Sequence, residues 1–321
     1  MAEADFEAPI VELQKRIDEL AKWPGDRAKE QEGRRLRETL GALRLEVYAK
    51  LTPWQKTLVA RNPNRPYTLD YVGALFTEWT ELHGDRRYGD DPALVCGFAL
   101  YRDRPVCVVG HQKGRDTKQK IYRNFGMPKP EGYRKAMRVM ALAAKFGRPI
   151  ISFVDTPGAY PGLDAEERGQ AEAIAWNLRE MASLRIPIVV TVTGEGGSGG
   201  ALAIAVGDRV NMLEHAVYSV ISPEGCASIL FRDASRAEEA ATAMKITATD
   251  LQRMGLVDEV IPEPPGGAHV DHEALFRSVD EVLWRQLQDL AKVPAAELPA
   301  QRYAKLRDMG RLGREFREAE P

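Results

Sequence analysis

Between Pro9 and Leu51 apolar residues recur every three or four positions, at Ile10, Leu13, Ile17 and Leu20 and again at Leu36, Leu40, Leu43 and Val47, within a heavily charged background. That spacing predicts a helical N-terminal region. Its apolar stripes need a partner, either the body of the chain or another subunit. A further helix is predicted from about Leu69 to Leu82. The apolar runs 93–101 and 105–111 are rich in β-formers and flank Arg102-Asp103-Arg104, the pattern of a hairpin.

Beyond the hairpin the pattern alternates: helix 131–146, strand 149–154, helix 165–183, strand 187–193, a helix from about Ser198, strands 209–213 and 217–221, helices 223–232 and 235–244, and strand 257–261. This order predicts an α/β layered protein. Paired strands interrupt the β-α order, which fits a spiral of ββα units better than a plain doubly wound sheet. Pro262 to Gly267 reads as a linker, and 271–292 returns to helix. The chain therefore divides into an N-terminal helical region (1–65), a core (66–267) and a C-terminal helical region (268–321).

Composition narrows the function. The 321 residues are 44% hydrophobic and 29% charged, enough for a sizeable core, and the formal net charge of −2 gives no overall attraction to nucleic acid or an anionic membrane. Any polyanion site must be local. Cys96, Cys107 and Cys226 lack CxxC spacing, so neither a disulfide framework nor a metal site is expected. The start of the chain is acidic and amphipathic, no run of about 18 apolar residues occurs, and a cytoplasmic protein is expected.

The richest segment is the strand-like run Ile188 to Thr193 entering Gly194-Glu195-Gly196-Gly197-Ser198-Gly199-Gly200-Ala201. Glycine lets backbone approach a ligand, and a helix start offers unpaired N–H groups. Three readings compete. Gly194, Gly196 and Gly199 spell the dinucleotide-binding G-x-G-x-x-G, but the following helix looks too short for that crossover, and no lysine follows to make a phosphate loop. Gly196, Ser198 and Gly200 spell a nucleophile elbow, yet nothing orients His215, His269 or Asp258 as its partners, and Ser198 reads equally as a helix cap. The third reading is an oxyanion hole made of the backbone amides of Gly199 and Gly200, held rigid by small residues continuing as Ala201, Ala203 and Ala205. A tight turn with no ligand remains the plain alternative.

Other motifs favour the third reading. Pro66 to Tyr71, Gly84-Asp85-Arg86, Gly110-His111-Gln112-Lys113-Gly114-Arg115, Arg123 to Pro128, Asp155-Thr156-Pro157-Gly158-Ala159-Tyr160-Pro161-Gly162, Gly194 to Gly200, and Tyr218 to Ala227 occur in this order. Together they closely resemble the alpha subunit family of bacterial multi-subunit acetyl-CoA carboxylase carboxyltransferases, over roughly Phe6 to His269.

The resemblance implies a crotonase-like (ClpP/crotonase) fold and a transferase of fatty acid biosynthesis. Such an enzyme moves a carboxyl group from carboxybiotin, borne on a biotin carboxyl carrier protein charged by biotin carboxylase, to acetyl-CoA, giving malonyl-CoA. It also implies a beta subunit that carries a zinc ribbon and completes the active site in an α2β2 heterotetramer. By the same resemblance Gly199 and Gly200 hold the ureido oxygen of biotin, so that Gly199→Val or Gly200→Val is expected to fold and assemble yet lose transfer.

Gly158, Ala159, Tyr160 and Gly162 are expected to wall the biotin pocket, with Gly196 and Gly197 beside them; a proline-braced turn is the alternative for the first set. Lys113, Arg115, Lys118, Lys120 and Arg123 form a local cation cluster, read as a solvated face or, through Lys113 and Arg115, as a phosphate site for CoA or a contact with the beta chain. His111 reads as an ordinary hydrogen-bonded histidine or a candidate for substitution. Two other functions compete: an acyl-CoA hydratase or hydrolase on the same fold, using Glu166, Glu167 and Glu172, and a scaffold or RNA-binding protein that needs neither glycine loop.

Overall fold

The charged N-terminal stretch forms helices α1 (Ala8–Ala21) and α2 (Arg27–Tyr48) in the computed structural model, which describes residues 5–23 and 25–309. The Asp26 side chain caps α2 by accepting from the Ala28 and Lys29 amides. Helix α3 (Pro53–Ala60) opens with a capping box between Thr52 and Gln55. The apolar stripes find their partner within the chain: Ile10, Ile17, Leu40, Tyr48, Leu51 and Val59 form one buried cluster. Tyr48 joins it to the body, edge-on to the His215 ring with centroids 5.3 Å apart.

The helix expected over 69–82 is half strand. Helix α4 (Thr68–Leu75) ends at Phe76, and β1 (Thr77–Glu81) follows. Apolar residues at Val72, Leu75, Trp79 and Leu82 kept a helical spacing, but Thr77 and Thr80 are β-branched and β2 (Leu94–Tyr101) offers an edge. Gly97 admits this neighbour, since a Cβ there would stand 2.1 Å from the Thr80 carbonyl oxygen. The hairpin of β2 with β3 (Arg104–His111) turns through Arg102 and Asp103, both at positive φ (48° and 61°), as a two-residue hairpin turn requires.

Next come α5 (Thr117–Tyr122), which the periodicity missed, α6 (Pro130–Lys145) and β4 (Ile150–Thr156), every residue of which is buried. The helix expected over 165–183 is broken by Gly169, at φ +82°, into α7 (Leu163–Glu167) and α8 (Gln170–Ser183). Strand β5 (Ile188–Gly197) runs through the glycines into α9 (Ser198–Leu202). Then follow β6 (Arg209–Leu213), β7 (Val217–Ser219), α10 (Pro223–Leu230), α11 (Ala237–Met244), the unforeseen α12 (Ala248–Arg253), β8 (Glu259–Ile261), α13 (His272–Leu290) and α14 (Leu298–Asp308).

All eight strands belong to one sheet, in the order β1-β2-β3-β4-β5-β6-β8, with β7 on β5. The first three strands are antiparallel and the rest parallel. Strand β5 is long enough to pair twice, with β6 through Val189 to Val192 and with β7 through Glu195 to Gly197. The last turn of β5 thus projects beyond the carboxyl edge of the sheet, where ligands of open α/β sheets collect.

Two buried ion pairs fasten the periphery. Arg302 on α14 binds Asp208 and the carbonyls of Met181, Leu184 and Ile186, while Asp208 accepts from the Ile188 amide. Arg65 meets Glu263 at 2.7 Å and donates to the Thr193 carbonyl at 2.9 Å. Burial alone would raise the Glu263 pKa, but Arg65 outweighs it and holds the group at about 2. A depressed carboxyl pKa contributes stability that is complete above the unfolded value and disappears as pH falls toward the folded one. We expect the urea midpoint of Glu263→Gln to vary less with pH between about 4.5 and 2 than that of the parent chain; equal slopes in that window would contradict this.

Candidate active site

The glycines expected to form a loop continue β5, because neighbours press on them from both sides. A Cβ at Gly194 would lie 2.4 Å from Asp155 Oδ1, one at Gly196 2.6 Å from the Tyr218 ring, and one at Gly197 2.2 Å from the Pro157 carbonyl oxygen. At Gly200 it would lie 2.4 Å from the Ala159 nitrogen and 2.5 Å from the Gly158 carbonyl carbon. The segment Asp155 to Gly162 therefore lies directly on the glycine turn, and the two stretches expected to wall one pocket are in contact. Gly199 differs: it is half-buried, and its Cβ would meet only Ile174 methyls at 3.5 and 3.6 Å, ordinary van der Waals distances.

Two expectations about this turn change. Gly200→Val would collide with peptide groups of Gly158 and Ala159, so only Gly199 offers a substitution that leaves the backbone in place. Helix α9 spans five residues, too few for a sizeable macrodipole. An anion held at this turn would depend on the directions of individual N–H groups. Ser198 does not cap the helix: Gly197 holds the cap position, Ser198 makes no cap bond, and it sits at φ +53°, a strained value for a non-glycine residue.

In the adjoining loop the Gly158 amide donates to Thr156 Oγ1 at 3.1 Å and the Tyr160 amide to the Pro128 carbonyl at 3.0 Å. The backbone amide that this loop presses against Gly200 is that of Ala159. The Tyr160 ring lies beneath the Lys129 ammonium at 4.6 Å and against Gly162, where a Cβ would be 2.3 Å from the ring.

Lys113 and Arg115, expected to bind phosphate, have partners inside the chain. Lys113 is 14% exposed, with its ammonium 2.6 Å from Asp155 and 3.0 Å from Glu195. Burial disfavours its charge, but Asp155 and then Glu195 outweigh burial and raise its pKa. Arg115 pairs with Asp70, donates to the Pro63 carbonyl at 2.7 Å and stacks on Tyr67. A run of basic residues cannot reveal from sequence which members turn inward. Lys118 remains exposed.

Sequence reasoning missed what Lys113 belongs to. Glu195 also binds Arg61 at 2.7 Å, and Arg61 reaches Glu224 at 2.5 Å, giving a chain of charges from the loop after β3 to α10. Burial raises the Glu195 pKa, but Lys113 and Arg61 lower it further. Asp155 in turn accepts the Glu195 amide at 2.9 Å. The available signal was a lone carboxylate within a buried glycine strand, which demands a cation. We expect Lys113→Met to leave Asp155 and Glu195 facing each other and to cost about 3–5 kcal/mol, read as a lower urea midpoint.

No serine triad forms. His215 packs on Tyr48, His269 faces Glu7, and Asp258 pairs with Lys305. Glu166, Glu167 and Glu172, the candidates for a hydratase, lie on exposed helical surface.

The fold is that of the crotonase-like carboxyltransferases. Transcarboxylase 12S, solved with methylmalonyl-coenzyme A and methylmalonic acid bound, matches with a TM-score of 0.58 at 21% identity over 71% of this chain and 42% of that one. A Pseudomonas malonate decarboxylase hetero-tetramer in complex with coenzyme A matches at 0.57 and 20% over 73% and 94%. At those identities the likeness is one of fold. Residues 3–310 match the family described as acetyl co-enzyme A carboxylase carboxyltransferase-like. The acetyl-coenzyme A carboxylase carboxyl transferase subunit alpha of Syntrophotalea carbinolica is 59% identical over 307 residues, 95% of this chain and 97% of that one, and its Geobacter metallireducens counterpart is 55% identical over 309 residues, 96% and 97%. The chain belongs to the alpha-subunit family of acetyl-CoA carboxylase carboxyltransferase.

Proposed function

We propose that this chain transfers the carboxyl group of carboxybiotin to acetyl-CoA, forming malonyl-CoA, and that Gly199 and Gly200 supply backbone N–H groups to the ureido oxygen. The observation that carries the site assignment is the half-buried Gly199 with an unobstructed Cβ direction, beside a Gly200 clamped against the Gly158–Ala159 peptide. Such a glycine-walled turn fits a flat ring approaching backbone. Carboxybiotin supplies the activated carboxyl group. The chain's part is to hold fixed dipoles where negative charge gathers, so that little reorganisation accompanies transfer. The small residues Ala201, Ala203 and Ala205 are buried against the sheet and keep the turn rigid.

The partner in this reading is a beta subunit that completes the pocket in an α2β2 assembly, carries the zinc, and works with a biotin carboxyl carrier protein and biotin carboxylase. The setting is the cytoplasm; among the described residues no helix is long and apolar enough to cross a membrane. Leu202 and Val220 are exposed beside Ser198 of the turn and support a covering subunit. The test is malonyl-CoA-dependent carboxylation of free biotin by the mixture of both chains. Activity is expected only in the mixture, and turnover by this chain alone would contradict a divided site.

A further inference from the structure

The His111 side chain lies between the two stretches that form the glycine-walled turn. It ends β3, is fully buried, and receives the Asp155 amide on Nδ1 at 3.4 Å. An accepting Nδ1 places the ring proton on Nε2. That second nitrogen is buried with no hydrogen-bond partner among the described residues, and the Gly200 backbone lies close enough to the ring to favour its protonated form. Burial nevertheless lowers the His111 pKa to about 3, so the ring is neutral under working conditions.

Its neighbours explain why this matters. Asp155, whose amide His111 receives, begins the stretch that places the Gly158–Ala159 peptide against Gly200. The Asp155 carboxylate is tied separately to Lys113 and to the Glu195 amide. One imidazole therefore bonds the root of the covering loop and lies beside the glycine turn. Rigid support of this kind sets donor directions, and misplacement by about 1 Å can cost a hundredfold in rate.

We propose that His111 is a positioning residue that sets the distance between the Asp155 loop and the Gly199–Gly200 turn, holding their amides aligned without touching substrate. This rests on the assignment of that turn as the oxyanion site. Asparagine can reproduce the acceptor at Nδ1, glutamine the donor at Nε2, and leucine neither.

The test uses the assembled enzyme with its partner subunit and follows malonyl-CoA-dependent carboxylation of free biotin. His111→Leu is expected to lower kcat about ten- to a hundredfold, with KM for malonyl-CoA within about twofold of the parent. His111→Asn and His111→Gln should each recover part of the loss. Combined with Gly199→Val, His111→Leu should add little, because both act on one turn. Multiplying losses in that pair, or a change confined to KM, would overturn the role of His111. Full activity in Gly199→Val alone would overturn the oxyanion assignment, and the role of His111 with it. Loss of assembly in the leucine variant shifts the decision to the asparagine and glutamine variants, where a change confined to KM, or a kcat equal to the parent's in both, would count against positioning.

Discussion

Gly199→Val is expected to assemble normally and to lose about 10²–10³-fold in kcat, the usual consequence of losing one oxyanion donor. The side chain has room, since only Ile174 methyls lie within reach at 3.5 and 3.6 Å, and no positive φ forbids it. Stability should therefore change little, while branched methyl groups occupy the approach to the amides. The measurement is kcat for carboxylation of free biotin beside the thermal midpoint of the assembled enzyme. A parent-like rate would remove Gly199 from the site. Gly200→Val gives a different result, a fall in stability, because its Cβ meets peptide atoms of Gly158 and Ala159 that have no free end to swing away.

The largest effect on folding is expected at Arg65. Its side chain is 1% exposed, its partner Glu263 is sealed beside it, and it also holds the Thr193 carbonyl where β5 approaches the glycines. Glu263 in turn accepts the His215 and Ala268 amides, so one arginine supports the linker after β8 as well. Arg65→Met leaves a buried carboxylate without its cation, and removal of one partner of a buried pair costs about 3–5 kcal/mol. Urea unfolding should show this as a lower midpoint with unchanged slope. A midpoint equal to that of the parent would mean that water or another cation reaches Glu263.

The layered architecture was legible because burial on both faces of β4 and β5 leaves long apolar runs, and because the amphipathic helices carry their stripes openly. Boundaries failed where two periods coincide. Trp79 and Leu82 continue a helical spacing, yet Thr77 and Thr80 pair with β2, and only the open edge of β2 decides between them. Short helices such as α5 and α12 have too few turns to show a period. At the site, the glycines pointed to close backbone approach before the approaching stretch, Pro157 to Ala159, could be known. Lys113 misled for a definite reason: its partners lie 42 and 82 positions further along the chain, at Asp155 and Glu195, and local charge counting cannot see them.

The buried charge of Lys113 also bears on the chemical hazards of working among thioesters. Acyl thioesters modify neutral amines that solvent-borne reagents can reach. Lys113 is enclosed, and its two carboxylate neighbours keep the nitrogen's lone pair protonated, whereas Lys118 on the same stretch of chain stands in water. Lys113, beside the glycine turn, is thus shielded from adventitious acylation by the same contacts that hold the strands together, and damage of that kind should accumulate at exposed lysines such as Lys118.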